Sequence, residues 1–133
     1  MKKVMFLVLV LSMLVAACGP GNTSNANATL APVPAEYAGR TNPLGVDAAV
    51  TGAEVFKTNC SACHGAQGHG DGPAGAALNP PPKNLAKLQA AAGDDYLFWR
   101  INTGKDGTSM VAWKGVLTDE QIWQVIAFLH TLK

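Results

Sequence analysis

Cys60-Ser61-Ala62-Cys63-His64 is the stretch on which the reading of the whole chain turns. Two thiols stand three positions apart and an imidazole follows directly. At the end of a helix, that spacing lets both sulfurs add to the vinyl groups along one side of a porphyrin. The next residue then lies under the ring, where its imidazole can bind iron. Cys60 and Cys63 are therefore candidates for covalent haem c attachment, and His64 for an axial ligand. Three other chemistries use the same residue types. A thioredoxin-like dithiol follows a strand in a βαβ context, and no such alternation is present. A zinc site would draw on Cys60, Cys63, His64 and His69, but zinc normally takes two separated ligand pairs. A structural disulfide explains the cysteines and leaves the adjacent histidine idle.

Working outward, residues 47–59 predict a helix. Val55 and Phe56 give it an apolar edge, and Gly52, one turn earlier, leaves room for another backbone. A second helix is predicted over 94–103, with Asp94 as N-cap, Leu97 and Ile101 on one face, and Gly104 at its end. The last helix has the clearest start. Thr118 and Gln121 form a capping box, and Asp119 and Glu120 suit the first turn. Ile122, Val125, Ile126 and Leu129 then make one apolar stripe. A short fourth helix fits 85–91. No strand pattern or internal repeat is evident. The expected fold is all-α, with three to four helices wrapped around one covalent haem, and the cofactor adds apolar surface that a domain this small lacks.

Four methionines occur, and three lie within the first thirteen residues. Met110 is the remaining one, in a Gly-rich polar loop between the second long helix and the last. A thioether there can complete octahedral iron, and Met/His ligation favours the reduced state. His69 is a rival, but only five residues from His64 it would struggle to reach the other haem face. His130 sits near a helix C-terminus, where a cation suits the dipole, and is assigned no function.

On these residues the chain resembles the class I cytochromes c. Gly52 to Gly65, with Phe56 and the Cys60–His64 motif, is similar to that family's first helix and haem site. The resemblance implies that Gly52 and Phe56 cross the last helix at Phe128. Residues 68–74 and 80–85 resemble the loops that wrap the haem. In the family a Pro carbonyl accepts the proximal His Nδ1 proton. Pro80, Pro81 and Pro82 are all candidates here, with Pro81 the expected haem-site residue. Trp113 is expected to pack near the haem. Where the family commonly has Pro after its ligand Met, this sequence has Val111, which bears on the rigidity of the loop. The resemblance also implies a single-electron carrier, not an enzyme. Its redox partners would be a quinol-oxidising complex, a terminal oxidase or a reductase, with no small-molecule substrate. A haem enzyme or ligand sensor would need a displaceable sixth ligand, and a larger oxidoreductase complex could also hold such a subunit.

At the other end, Lys2-Lys3, an apolar run and small residues to Ala17 read as a signal peptide over 1–17. Val15-Ala16-Ala17-Cys18 resembles a bacterial lipobox, with Cys18 as the lipidated residue and anchoring on the extracytoplasmic side of a membrane. Residues 18–41, rich in small polar residues and Pro, are expected to be a flexible tether, and 42–133 the cytochrome c domain. The formal charge of +1 over 133 residues turns slightly negative once the leader lysines go. Nothing here forms the basic patch that nucleic-acid binding requires.

Overall fold

The computed structural model describes residues 30–133. The expected leader, Cys18 and the tether as far as residue 29 lie outside the described residues. The rest is helical: α1 (Ala48–Asn59), α2 (Ser61–His64), α3 (Leu85–Ala91), α4 (Asp94–Thr103) and α5 (Asp119–Leu129). Among the described residues the one β feature is an isolated bridge between Lys114 and Leu117. No helix among them is long and apolar enough to cross a membrane. The all-α expectation holds, and the single turn α2 is the element it omitted.

The most extensive helix contact is α1 on α5. A Cβ on Gly52 would fall on the Gln124 carbonyl, so the two backbones meet where α1 has no side chain. One turn on, the Phe56 and Phe128 rings lie 5.1 Å apart at 50°, a tilted pair that adds about 0.5–1.5 kcal/mol beyond area burial. The predicted crossing is thus present. All four members of the α5 stripe are buried, Ile122 and Ile126 completely. They meet Phe56, Leu97, Phe98 and Ile101 in one core. Each such side chain contributes about 1.5–3 kcal/mol by leaving water. The capping box of α5 is formed as expected, with Thr118 and Gln121 exchanging side-chain and backbone hydrogen bonds.

Two expectations need correction. The tether does not run to residue 41. Val33 packs against the core, Tyr37 is buried, and the Gly39 and Asn42 N–H groups donate to Asp95 and Asp94 at 3.0 and 2.8 Å. Residues 33–42 are a strap along α4, because one aromatic ring and a few directed hydrogen bonds outweigh the small, polar composition around them. The N-cap of α4 is Gly93, and Asp94 is its first helical residue. Asp94 cannot cap because both its oxygens are engaged elsewhere, Oδ2 by Asn42 and Oδ1 by His130 Nε2 at 2.7 Å. His130 Nδ1 faces Gln89 Oε1 at 3.2 Å, so this histidine ties α3, α4 and the end of α5 together.

Candidate haem site

The Cys-x-x-Cys-His motif begins where α1 ends. Cys60 N–H closes α1 on Phe56 O at 2.8 Å, and Cys60 O accepts from Cys63 and His64 at 3.2 and 2.9 Å. That single turn leaves the carbonyls of Ala62, Cys63 and His64 unpaired by helix. The returning loop takes all three. Ala74, Gly72 and Gly70 N–H groups donate to Ala62, Cys63 and His64 O at 2.8, 3.2 and 2.8 Å. Such a ladder requires near-contact of two backbones. A Cβ on Gly72 would lie 2.6 Å from the Cys63 carbonyl carbon, which no side chain tolerates.

The loop then carries the next segment to the histidine. Leu85 N–H donates to Gly68 O at 2.6 Å, and Asn84 caps α3 by accepting from Lys87 N–H at 2.9 Å. Between them, the Lys83 carbonyl sits 3.2 Å from His64 Nδ1. The carbonyl expected from Pro81, or from Pro80 or Pro82, is therefore that of Lys83. A backbone oxygen can be supplied by any residue type, so its sequence position is set by the path of the loop. The bond makes Nδ1 the protonated nitrogen and leaves Nε2 as the lone-pair donor, the usual arrangement of a metal-binding histidine. Burial holds the His64 pKa below the ordinary histidine value, against the opposing pull of the Lys83 carbonyl. The ring is therefore neutral at neutral pH, as a ligand must be.

Burial, reinforced by Cys63 alongside, pushes the Cys60 thiol up to about 12. A dithiol redox centre needs a thiolate, which burial disfavours at Cys60. The four-ligand zinc reading also finds no support among the described residues, where no three His, Cys, Asp or Glu side chains converge on a metal position. His69 turns away, its Nε2 3.3 Å from the Lys133 carbonyl.

Met110 lies half-buried in the loop after α4. Gly104 ends α4 at φ 73° with its N–H on Arg100 O at 2.9 Å. A Cβ there would lie 2.6 Å from Met110 O. Lys105 N–H donates to Met110 O at 2.9 Å, and Met110 N–H to Thr108 Oγ1 at 3.1 Å. Trp113 and Lys114 N–H groups return to Ile101 and Asn102 O at 3.1 and 3.0 Å. The loop is held without a proline, and Val111 is exposed. Trp113 is partly buried against the core. The donor set of two thiols, one oriented imidazole and one loop thioether fits haem c.

The comparisons agree. The family model for cytochrome c oxidase, cbb3-type, subunit III matches residues 47–129. The chain is 35% identical to the cbb3-type cytochrome c oxidase subunit FixPc of Rhizobium leguminosarum bv. viciae over 63% of its own length, and spans only 28% of that protein. It is also 35% identical to cytochrome c6 of Parathermosynechococcus lividus, over 59% of this chain and 83% of that one. A chain of the Kuenenia stuttgartiensis reducing HAO-like protein complex Kustc0457/Kustc0458 shares the fold, with a TM-score of 0.58 at 22% identity over 68% of this chain and 47% of that one. With its family model matching residues 47–129, the chain belongs to the cytochrome c family represented by the cbb3-type oxidase subunit III, a class I c-type cytochrome with one covalent haem c.

Proposed function

We propose that this domain is a single-electron carrier in which Cys60 and Cys63 hold the haem by thioether bonds and His64 Nε2 and Met110 sulfur fill the axial positions. The observation that carries the reading is the His64 Nδ1 contact with Lys83 O at 3.2 Å, which makes Nδ1 the donor and leaves Nε2 free for iron. The haem supplies one reversible electron at its iron. The chain's residues do the rest. Lys83 O keeps His64 pointed and raises its basicity. The backbone ladder from residues 70–74 keeps the attachment turn from moving. The Met110 loop, pinned to the last turn of α4, presents a soft thioether that favours the reduced state. With His64 and Met110 both holding the iron, a substrate would find no open position there.

The setting belongs to the same proposal. Lipid on Cys18 would anchor the chain on the extracytoplasmic side of a membrane, and the residues before the strap would let the domain reach its partners. A terminal oxidase is the favoured partner, since several relatives are named as cbb3-type cytochrome c oxidase subunits. The likeness to cytochrome c6, of which this chain spans 83%, supports a stand-alone carrier instead. Purification in mild detergent separates the two. Recovery only within a stoichiometric assembly identifies a subunit, and recovery alone identifies a carrier. Cys18→Ala is expected to release the domain with its spectrum intact, and continued membrane retention would refute the anchor.

The decisive experiment is an optical spectrum of protein matured with haem c, oxidised and reduced, with carbon monoxide added last. A low-spin spectrum with the sulfur–iron charge-transfer band, indifferent to carbon monoxide and lost in Met110→Ala, is expected. Rapid carbon monoxide binding by the native protein would mean an open sixth position, and the chain would be a haem enzyme or ligand sensor.

A further inference from the structure

Asn102 is the one polar side chain buried among the described residues, at 4% exposure. Its partner comes from far away in sequence: Tyr37 hydroxyl donates to Asn102 Oδ1 at 3.0 Å. Tyr37 is itself buried. Its ring lies 6.3 Å from that of Phe98, and the Arg40 guanidinium sits 5.1 and 5.2 Å from the Tyr37 and Phe98 rings. The strap therefore delivers one hydroxyl, in a fixed direction, to the last turn of α4.

That turn frames the Met110 loop. The Asn102 carbonyl accepts from Lys114 N–H and the neighbouring Ile101 carbonyl from Trp113 N–H. Two residues after Asn102, Gly104 packs against the Met110 carbonyl. Asn102 thus faces two ways, its side chain held by the strap and its backbone holding the loop. A buried amide oxygen that loses its donor is costly, so Asn102 would move to find another partner and take the frame with it.

We propose that Tyr37 is a positioning residue for the sixth iron ligand, acting through Asn102 on the Met110 loop. The inference rests on the reading of Met110 as ligand given above. Its chemistry is a restraint on where the thioether can go, with no electron or proton passing through Tyr37. The strap at the start of the described residues is thereby coupled mechanically to the iron.

The test uses the full haem-loaded chain, oxidised, titrated with imidazole as a competitor for the sixth position and followed by loss of the sulfur–iron charge-transfer band. Tyr37→Phe keeps the ring and removes the hydroxyl. It is expected to retain the native spectrum and to bind imidazole about fivefold more tightly, the scale of one net hydrogen bond. Asn102→Ala removes the acceptor and should shift affinity in the same direction. The double variant should shift no more than the larger single one, because both act on one link. Should either single variant fail to fold, the other still reads the link. Val33→Ala trims the strap's apolar contact with the core and leaves the Tyr37–Asn102 bond in place, so it should leave imidazole affinity within about twofold of native.

An unchanged affinity in Tyr37→Phe, with Met110→Ala opening the iron, would overturn the positioning role and leave Met110 as ligand. An equal shift in Val33→Ala would also overturn it, since the strap would then act through general stability. A native protein without the charge-transfer band, and a Met110→Ala variant no different from it, would remove the ligand reading and this one together.

Discussion

The His64 side and the Met110 side of the site are built by different means. Around His64, backbone lies on backbone. Three consecutive carbonyls are taken by one returning loop, and the Gly72 position admits no Cβ. Around Met110, a Gly-rich loop hangs from α4 by a handful of hydrogen bonds, with Val111 facing solvent beside it. Each such bond is worth about 0.5–1.5 kcal/mol net. A close-packed ladder gives way as a unit or not at all, whereas a hung loop can detach locally. Ligand exchange at the iron is therefore expected on the Met110 side, with the histidine side remaining intact.

The contrast can be broken at several points. Gly72→Val drives a side chain into the Ala62 and Cys63 backbone, and should destabilise the haem protein by about 3 kcal/mol or more in denaturant unfolding. Gly104→Ala places a Cβ at φ 73° and against Met110 O, a strain of about 1–3 kcal/mol. Its expected signature is loss of the sulfur–iron band while the protein stays folded with His64 bound. If Gly104→Ala unfolded the domain as thoroughly as Gly72→Val, the two sides would not differ in kind. Asn84→Ala removes the cap of α3 beside Lys83, costing about 1 kcal/mol. By weakening the carbonyl contact with His64 it should raise the reduction potential slightly, without making the iron bind carbon monoxide. Thr108→Ala takes away the acceptor for Met110 N–H. It should be mildest, about 1 kcal/mol or less, read as a small tightening of imidazole binding with the band retained.

What could be read from the sequence was whatever is encoded by local pattern. The apolar stripe of α5, its capping box and the short α3 all follow from residues within a few positions of each other, while the crossing of Gly52 and Phe56 on α5 comes from the resemblance to the class I cytochromes c. The features that escaped depend on partners far off in the chain. Asp94 looks like an N-cap until Asn42 and His130 are seen to hold its two oxygens. Residues 33–41 look like tether until Tyr37 is paired with Asn102, sixty-five positions away. The proline-rich run at 80–82 drew attention to itself, but the oxygen facing His64 belongs to Lys83, because a main-chain carbonyl leaves no mark in the sequence. His130 showed only a basic residue near a helix end, while its two nitrogens in fact join three helices.

The crossing of α1 on α5 also fixes an order of events. Gly52 and Phe56 cannot meet Gln124 and Phe128 until the chain between them has been made and delivered, and closing so long a loop, roughly seventy residues, carries an entropic cost of its own. Throughout that interval the Cys60–His64 turn has no finished domain around it. Afterwards, burial holds the Cys60 thiol near 12, where it is a poor nucleophile. On the proposed reading of these cysteines, haem attachment is expected to be easier while the chain is still open. On that reading, haem joining is expected to precede the docking of α5, which completes the core that Cys60 packs against.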